Sequence, residues 1–136
     1  PGMIVEDFPG TFTERMTKME GLLEGKRDLI LVGSSYGGLM AAVFACRHED
    51  RVKKLVLLAP AIHLDEFGPC LKGNVSVPTV LIHGSGDDVV PPGPVLERAE
   101  KVFSRLRYVL LEDDHSLHEN FPLLDWDDLL ETRGNG

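Results

Sequence analysis

Three residues of this chain stand just beyond apolar runs, with types and an order suited to nucleophilic chemistry. The first is Ser35, in Gly33-Ser34-Ser35-Tyr36-Gly37-Gly38, between the apolar run Leu29-Ile30-Leu31-Val32 and the helical-looking stretch Leu39 to Cys46. A G-x-S-x-G set between a buried strand and a helix turns the chain so sharply that the central serine is pushed out at the strand's C-terminal end. That serine must accept a strained backbone, and strand and helix must pass close by. The positions two before and two after it therefore need minimal side chains, supplied here by Gly33 and Gly37. The helix N-terminus points unpaired amides and the positive end of its dipole at the place where an oxyanion would develop, with the Tyr36 amide as the natural first donor. A phosphate-binding turn is the competing use of such glycines, but neither G-x-x-x-x-G-K-[ST] nor G-x-G-x-x-G occurs here.

Two later segments supply the partners. Val77-Pro78-Thr79-Val80-Leu81-Ile82-His83-Gly84 reads as a buried strand and runs into Ser85-Gly86-Asp87-Asp88-Val89-Val90-Pro91. Arg107-Tyr108-Val109-Leu110-Leu111 is a further strand, ending in Glu112-Asp113-Asp114-His115. A serine, an aspartate and a histidine thus each follow a strand, in the chain order expected when the nucleophile sits in G-x-S-x-G, and parallel strands would place all three along one sheet edge.

As a set these motifs resemble the α/β-hydrolase family, from about Met3 to the last helix near Glu131. The resemblance implies Ser35 as nucleophile. It implies Asp87 as the acid, because H-G-x-x-D-x-x-V-P is met by His83, Gly84, Asp87, Val90 and Pro91. It implies His115, the first histidine after the last strand, as base, with His118 as runner-up. His115 would take the proton of Ser35 during attack on an acyl carbonyl, Asp87 would orient the imidazole, and water would release the acyl-enzyme. Met3 to Gly10 resembles the family's fourth strand and its D-x-P-G turn, so the first three strands are absent, and with them the loop that usually donates the second oxyanion amide. The second donor is unknown: the Tyr36 hydroxyl, the Ser34 hydroxyl and a loop amide are the candidates. Ser34 and His63, which border the expected pocket, are candidate substrate contacts.

The elements that would position these residues follow from periodicity. Thr11 and Glu14 form a capping box, and Phe12, Met16, Met19, Leu22 and Leu23 share a helical stripe that Gly25 ends. Strands are expected over 28–32, 54–58, 79–83 and 108–111, and helices over 37–47, from Pro94 to about Phe103, and over 122–131. The segment 61–76, where the family often inserts a lid, has room for a loop and one short helical turn. The strands are continuous apolar runs, as in parallel sheets covered on both faces. The fold expected is α/β: a mostly parallel sheet of four to five strands with helices on both faces, a reduced α/β-hydrolase fold in one domain. Pro1-Gly2 reads as a cloning remnant and 132–136 as a frayed tail.

Composition narrows the partners. With 22 acidic against 14 basic residues and a formal charge of -8, the chain has no electrostatic affinity for nucleic acid or anionic lipid. The five histidines lack metal-ligand spacing; neither a metal nor a cofactor is expected. His83 reads as a packed, hydrogen-bonded residue. Cys46 and Cys70 are expected as reduced thiols in a cytoplasmic protein. The function expected is a carboxylesterase for short soluble esters, with a thioesterase or acyl-peptide hydrolase close by in chemistry, and an inactive binding module or a fragment of a longer enzyme as readings of another class. Without a third strand, the strand ending at Val32 would have an open edge, to be covered by Met3 to Glu6 or by a second copy in a homodimer.

Overall fold

The structure, a computed structural model, describes residues 10–112. Helix α1 (Phe12–Leu22) leads into strand β1 (Leu29–Ser34), helix α2 (Ser35–Arg47) and strand β2 (Val52–Leu58). A 3-10 segment (Asp65–Lys72), strand β3 (Thr79–Gly84), helix α3 (Pro92–Val102) and strand β4 (Leu106–Leu111) follow. The strands form one parallel sheet in the order β1-β2-β3-β4. Among the described residues the strand–helix alternation of the sequence thus becomes a four-stranded parallel α/β sheet.

Local chemistry accounts for the helix starts. Thr11 accepts from the Glu14 amide while the Glu14 carboxylate accepts from the Thr11 amide, the reciprocal cap that the sequence implies. On α1, Met16, Met19 and Leu23 are buried, whereas Leu22 is exposed; the helix stops at Leu22, and left-handed Gly25 (φ 74°) lies beyond its end. Helix α3 begins at Pro92, two residues before the expected Pro94, because a proline at the first helical position loses no hydrogen bond and has its φ already set. Helix α2 begins at Ser35 rather than Gly37. The segment after β2 holds eight residues of 3-10 helix, more than the single turn expected, with Phe67 and Cys70 buried beneath it.

One core cluster joins Leu31, Leu55, Leu57 and Leu81 of the sheet to Met16 of α1, Leu39 and Phe44 of α2, Phe67 of the 3-10 segment and Val95 of α3. On the other face Val56, Leu58, Val80 and Ile82 form a second cluster with Val109 and Leu111. The inner strands β2 and β3 are buried almost throughout, as continuous apolar runs should be. β1 alternates, with Ile30 and Val32 exposed at 39% and 47%. Among the described residues β1 pairs only with β2, and its alternation marks one face covered by the main core and one left open.

Glu20 ties the end of α1 to the end of α2, with one oxygen 2.6 Å from His48 Nε2 and the other 3.0 Å from Arg47 Nη1. The His48 hydrogen bond, aided by the charge of Arg47, holds the Glu20 carboxyl below its ordinary value. A carboxylate depressed by folding adds stability above its unfolded-state pKa and loses it as pH falls through the folded-state value. Glu20→Gln is therefore expected to lower Tm at pH 7, with the gap to the parent closing below the ordinary carboxyl pKa of about 4.3. Melting curves giving the same gap at pH 7 and at about pH 3 would show that the carboxylate charge contributes nothing.

Candidate active site

The turn at Ser35 is tight for reasons visible in its neighbours. A Cβ on Gly33 would fall 2.7 Å from the Gly37 carbonyl carbon and 2.9 Å from Gly38 Cα; one on Gly38 would fall 2.8 Å from Pro60 Cβ. On Gly37 it would meet nothing within 4 Å. The sequence-based reading of Gly33 holds, but the second close approach belongs to Gly38, where the first turn of α2 crosses the loop after β2. Gly37 is exposed. Ser35 has φ 52°, a left-handed conformation that a side chain bearing a Cβ adopts at a cost of order 1–3 kcal/mol. The strain persists because both sides are pinned: Gly33 and Gly38 hold strand and helix together, and the Ala61 amide donates to the Ser35 carbonyl at 2.9 Å. Ala59, at the end of β2, is also left-handed (φ 45°), and its amide donates to the Ile82 carbonyl at 2.8 Å.

Ser35 is the first residue of α2 and Tyr36 the second, so the Tyr36 amide belongs to the first turn, whose N–H groups have no intrahelical acceptor. The Tyr36 side chain leads elsewhere. Its ring stacks under the Arg15 guanidinium at 4.6 Å and meets the edge of Phe12, and its hydroxyl donates a long 3.4 Å hydrogen bond to Glu66. Partial burial, with the Glu66 charge, pushes that hydroxyl's pKa up and keeps it protonated. Tied to Glu66, it is a poor candidate for the second oxyanion donor. Ser34 is exposed at the end of β1 and makes no capping bond to α2.

Asp87 lies in the turn after β3, its side chain wholly buried. Oδ1 accepts from the amides of Val89 and Val90 at 2.8 and 2.7 Å, and Oδ2 lies 3.1 Å from His83 Nε2. The same nitrogen is 2.9 Å from the Val90 carbonyl. Both neighbours accept, so Nε2 carries the proton and shares it between them. His83, fully buried, is thus the packed, hydrogen-bonded residue expected, and it braces the Asp87 carboxylate. Two amide donors and a ring N–H suit an ionised carboxylate, and they fix its orientation.

Parallel pairing then sets the layout. Ser35 follows β1 and Asp87 follows β3, with β2 between them and all three strands ending at one edge. At about 4.8 Å per strand, the two strand ends are separated by roughly 10 Å, room for an imidazole and a substrate group. His63 lies in the loop after β2, two residues beyond Ala61, whose amide donates to the Ser35 carbonyl, and near enough to Asp87 for that charge to act on its ring. His115 and His118 lie outside the described residues, as do Met3 to Glu6 and the helix expected over 122–131. A shallow, open depression lies elsewhere, near Cys46, Glu49, Val52, Ser76 and Pro78, where strands β2 and β3 begin. It contains neither Ser35 nor Asp87, so its size does not bear on the chemistry.

A parallel sheet with a left-handed serine between strand and helix, and a buried aspartate two strands away, resembles the arrangement of an α/β hydrolase. A family model described as alpha/beta hydrolase fold matches residues 22–71, from the end of α1 through the elbow to the 3-10 segment. A predicted CIB-like hydrolase from Thermoplasma acidophilum is 25% identical, with a TM-score of 0.69 over 84% of this chain and 55% of its own. Mouse alpha/beta hydrolase domain-containing protein 10 is 19% identical, with a TM-score of 0.73 over 89% of this chain and 70% of that one. Est1E from Butyrivibrio proteoclasticus is 16% identical, with a TM-score of 0.71 over 84% and 66%. Comparison with curated proteins finds no match. The chain therefore resembles the α/β-hydrolase family in fold and in elbow sequence, and it spans between about half and seven tenths of the length of these structures.

Proposed function

We propose that this chain is a serine hydrolase that cleaves short, soluble acyl esters through Ser35, Asp87 and His115. The observation that carries the proposal is the backbone of Ser35: a non-glycine residue at φ 52°, pinned from both sides at the junction of β1 and α2. Strain of this kind is maintained where a side chain must be presented. In the reaction, His115 takes the Ser35 hydroxyl proton as the oxygen attacks the acyl carbonyl, and returns it to the departing alcohol. Asp87, held by the Val89 and Val90 amides and by His83, steadies the imidazolium. The Tyr36 amide and the positive end of α2 stabilise the oxyanion.

The segment after β2 supports the choice of substrate. Its 3-10 helix is anchored by Phe67 and Cys70 in the main core, and packs on α3 through Phe67 against Phe103. A segment fixed in this way does not serve as an interfacial flap over a lipid-sized cleft. A fluorophosphonate that reacts with activated serines tests the reading. The expected result is one equivalent of label, mapped by mass spectrometry to the peptide containing Ser35. Absence of labelling, or labelling of another serine, would overturn it.

A further inference from the structure

The loop between the nucleophile and the acid carries one polar side chain whose mounting is unusual. His63 sits two residues beyond Ala61, whose amide is bonded to the Ser35 carbonyl, and directly after Ile62, which is wholly buried. Arg98 on α3 donates from Nη1 to the carbonyls of Ile62 and Leu64 at 3.0 Å each, clamping the backbone on both sides of His63. The residue is partly exposed, yet its Nδ1 is buried and has no hydrogen-bond partner among the described residues. Burial of the ring, together with the Arg98 charge, holds the imidazole below its ordinary pKa. At neutral pH it is therefore uncharged.

The tautomer follows from the same burial. An orphaned N–H in a dry environment is rarer than an orphaned lone pair and leaves a donor's full desolvation cost uncompensated. The proton accordingly resides on Nε2, and Nδ1 carries the bare lone pair. What the loop beside Ser35 presents is a neutral imidazole on a clamped backbone, with its N–H on the nitrogen opposite the buried Nδ1.

We propose that His63 is a substrate-binding residue whose Nε2–H donates to an acceptor oxygen of the substrate other than the ester being cleaved, such as an ether, keto or hydroxyl oxygen. The inference rests on the hydrolase reading above and narrows its substrates to oxygenated short esters. Such a donor favours a substrate that offers an acceptor over an isostere with CH2 in that place, because the isostere strips the donor of water and leaves it unpaired.

Two pairs of isosteric esters test this. p-Nitrophenyl methoxyacetate against p-nitrophenyl butyrate places the oxygen in the acyl part; 2-methoxyethyl acetate against butyl acetate places it in the alcohol part. The ratio of kcat/KM within each pair is measured for the parent, His63→Leu, His63→Phe and His63→Gln. Intrinsic reactivity cancels when the ratios are compared between enzymes, and a ratio taken within one preparation does not depend on how much of a variant is folded. In one pair, the Leu and Phe variants are expected to shift the ratio toward the CH2 ester by about 3- to 10-fold, the size of one neutral hydrogen bond. Gln, which retains an N–H donor, is expected to restore part of it. The pair that moves identifies the part of the substrate that His63 contacts. Unchanged ratios in both pairs overturn the role of His63 and leave the hydrolase reading standing; failure of the parent to cleave any of the four esters overturns that reading itself.

Discussion

Ser35→Ala is expected to reduce hydrolysis of p-nitrophenyl acetate by at least about 10³-fold, since the members of such a triad act as a unit and loss of the nucleophile forfeits nearly all of their joint effect. The fold should survive, because the contacts that shape the elbow involve the Ser35 backbone and the glycines beside it, not the hydroxyl alone. The Ala61 amide still finds the residue-35 carbonyl, and Gly33 and Gly38 still pass their neighbours. Activity and a melting curve on the same preparation make the measurement. Parent-level activity in a pure, folded variant would remove Ser35 from the mechanism.

Gly33→Ala is expected to be the most destabilising single-methyl change in the described part of the chain. The added carbon would overlap the Gly37 carbonyl group and Gly38 Cα, which are backbone atoms and cannot swing aside as a side-chain tip can. Relieving the overlap means pulling α2 off β1, and with it Leu39 and Phe44 out of the core they share with Leu31 and Leu55. Overpacking in a well-filled interior costs about 1–3 kcal/mol, and a clash with backbone lies at or above the top of that range. A Tm lower by roughly 10 °C or more, or failure to fold, is the outcome anticipated. Gly37→Ala is the control: its Cβ has open space, the position is helical, and alanine is favoured there by up to about 1 kcal/mol. If thermal melts of the two variants coincide, the close approach at Gly33 is not a determinant of the fold.

The contrast between these two glycines shows where sequence reasoning stops. G-x-S-x-G is a local pattern, and it located the strand, the helix and the serine between them. It could not show that the crowded pair is Gly33 and Gly38, because Gly38 is crowded by Pro60, a residue on the loop after another strand. Asp87 is a similar case. Its position after a strand was legible from His83-Gly84 and Val90-Pro91, and two of its bonds, to the Val89 and Val90 amides, are local. The brace from His83 needed the turn to close before the ring could reach the carboxylate.

The amino-acid sequence by itself determined what short-range chemistry can decide. The capping box at Thr11, the strands and helices in alternation, the proline-started α3 and the place of the elbow serine depend on residues within a few positions of one another, whose φ/ψ preferences and hydrogen-bonding groups are written in their side chains. The tertiary structure alone decided what depends on distant segments meeting. It left Ile30 and Val32 exposed among the described residues, drew the Tyr36 hydroxyl to Glu66, and clamped the loop of His63 with Arg98, 35 residues further along the chain. Such contacts form where burial of the two core clusters brings separate elements together, and a linear pattern carries no record of which surfaces will face one another.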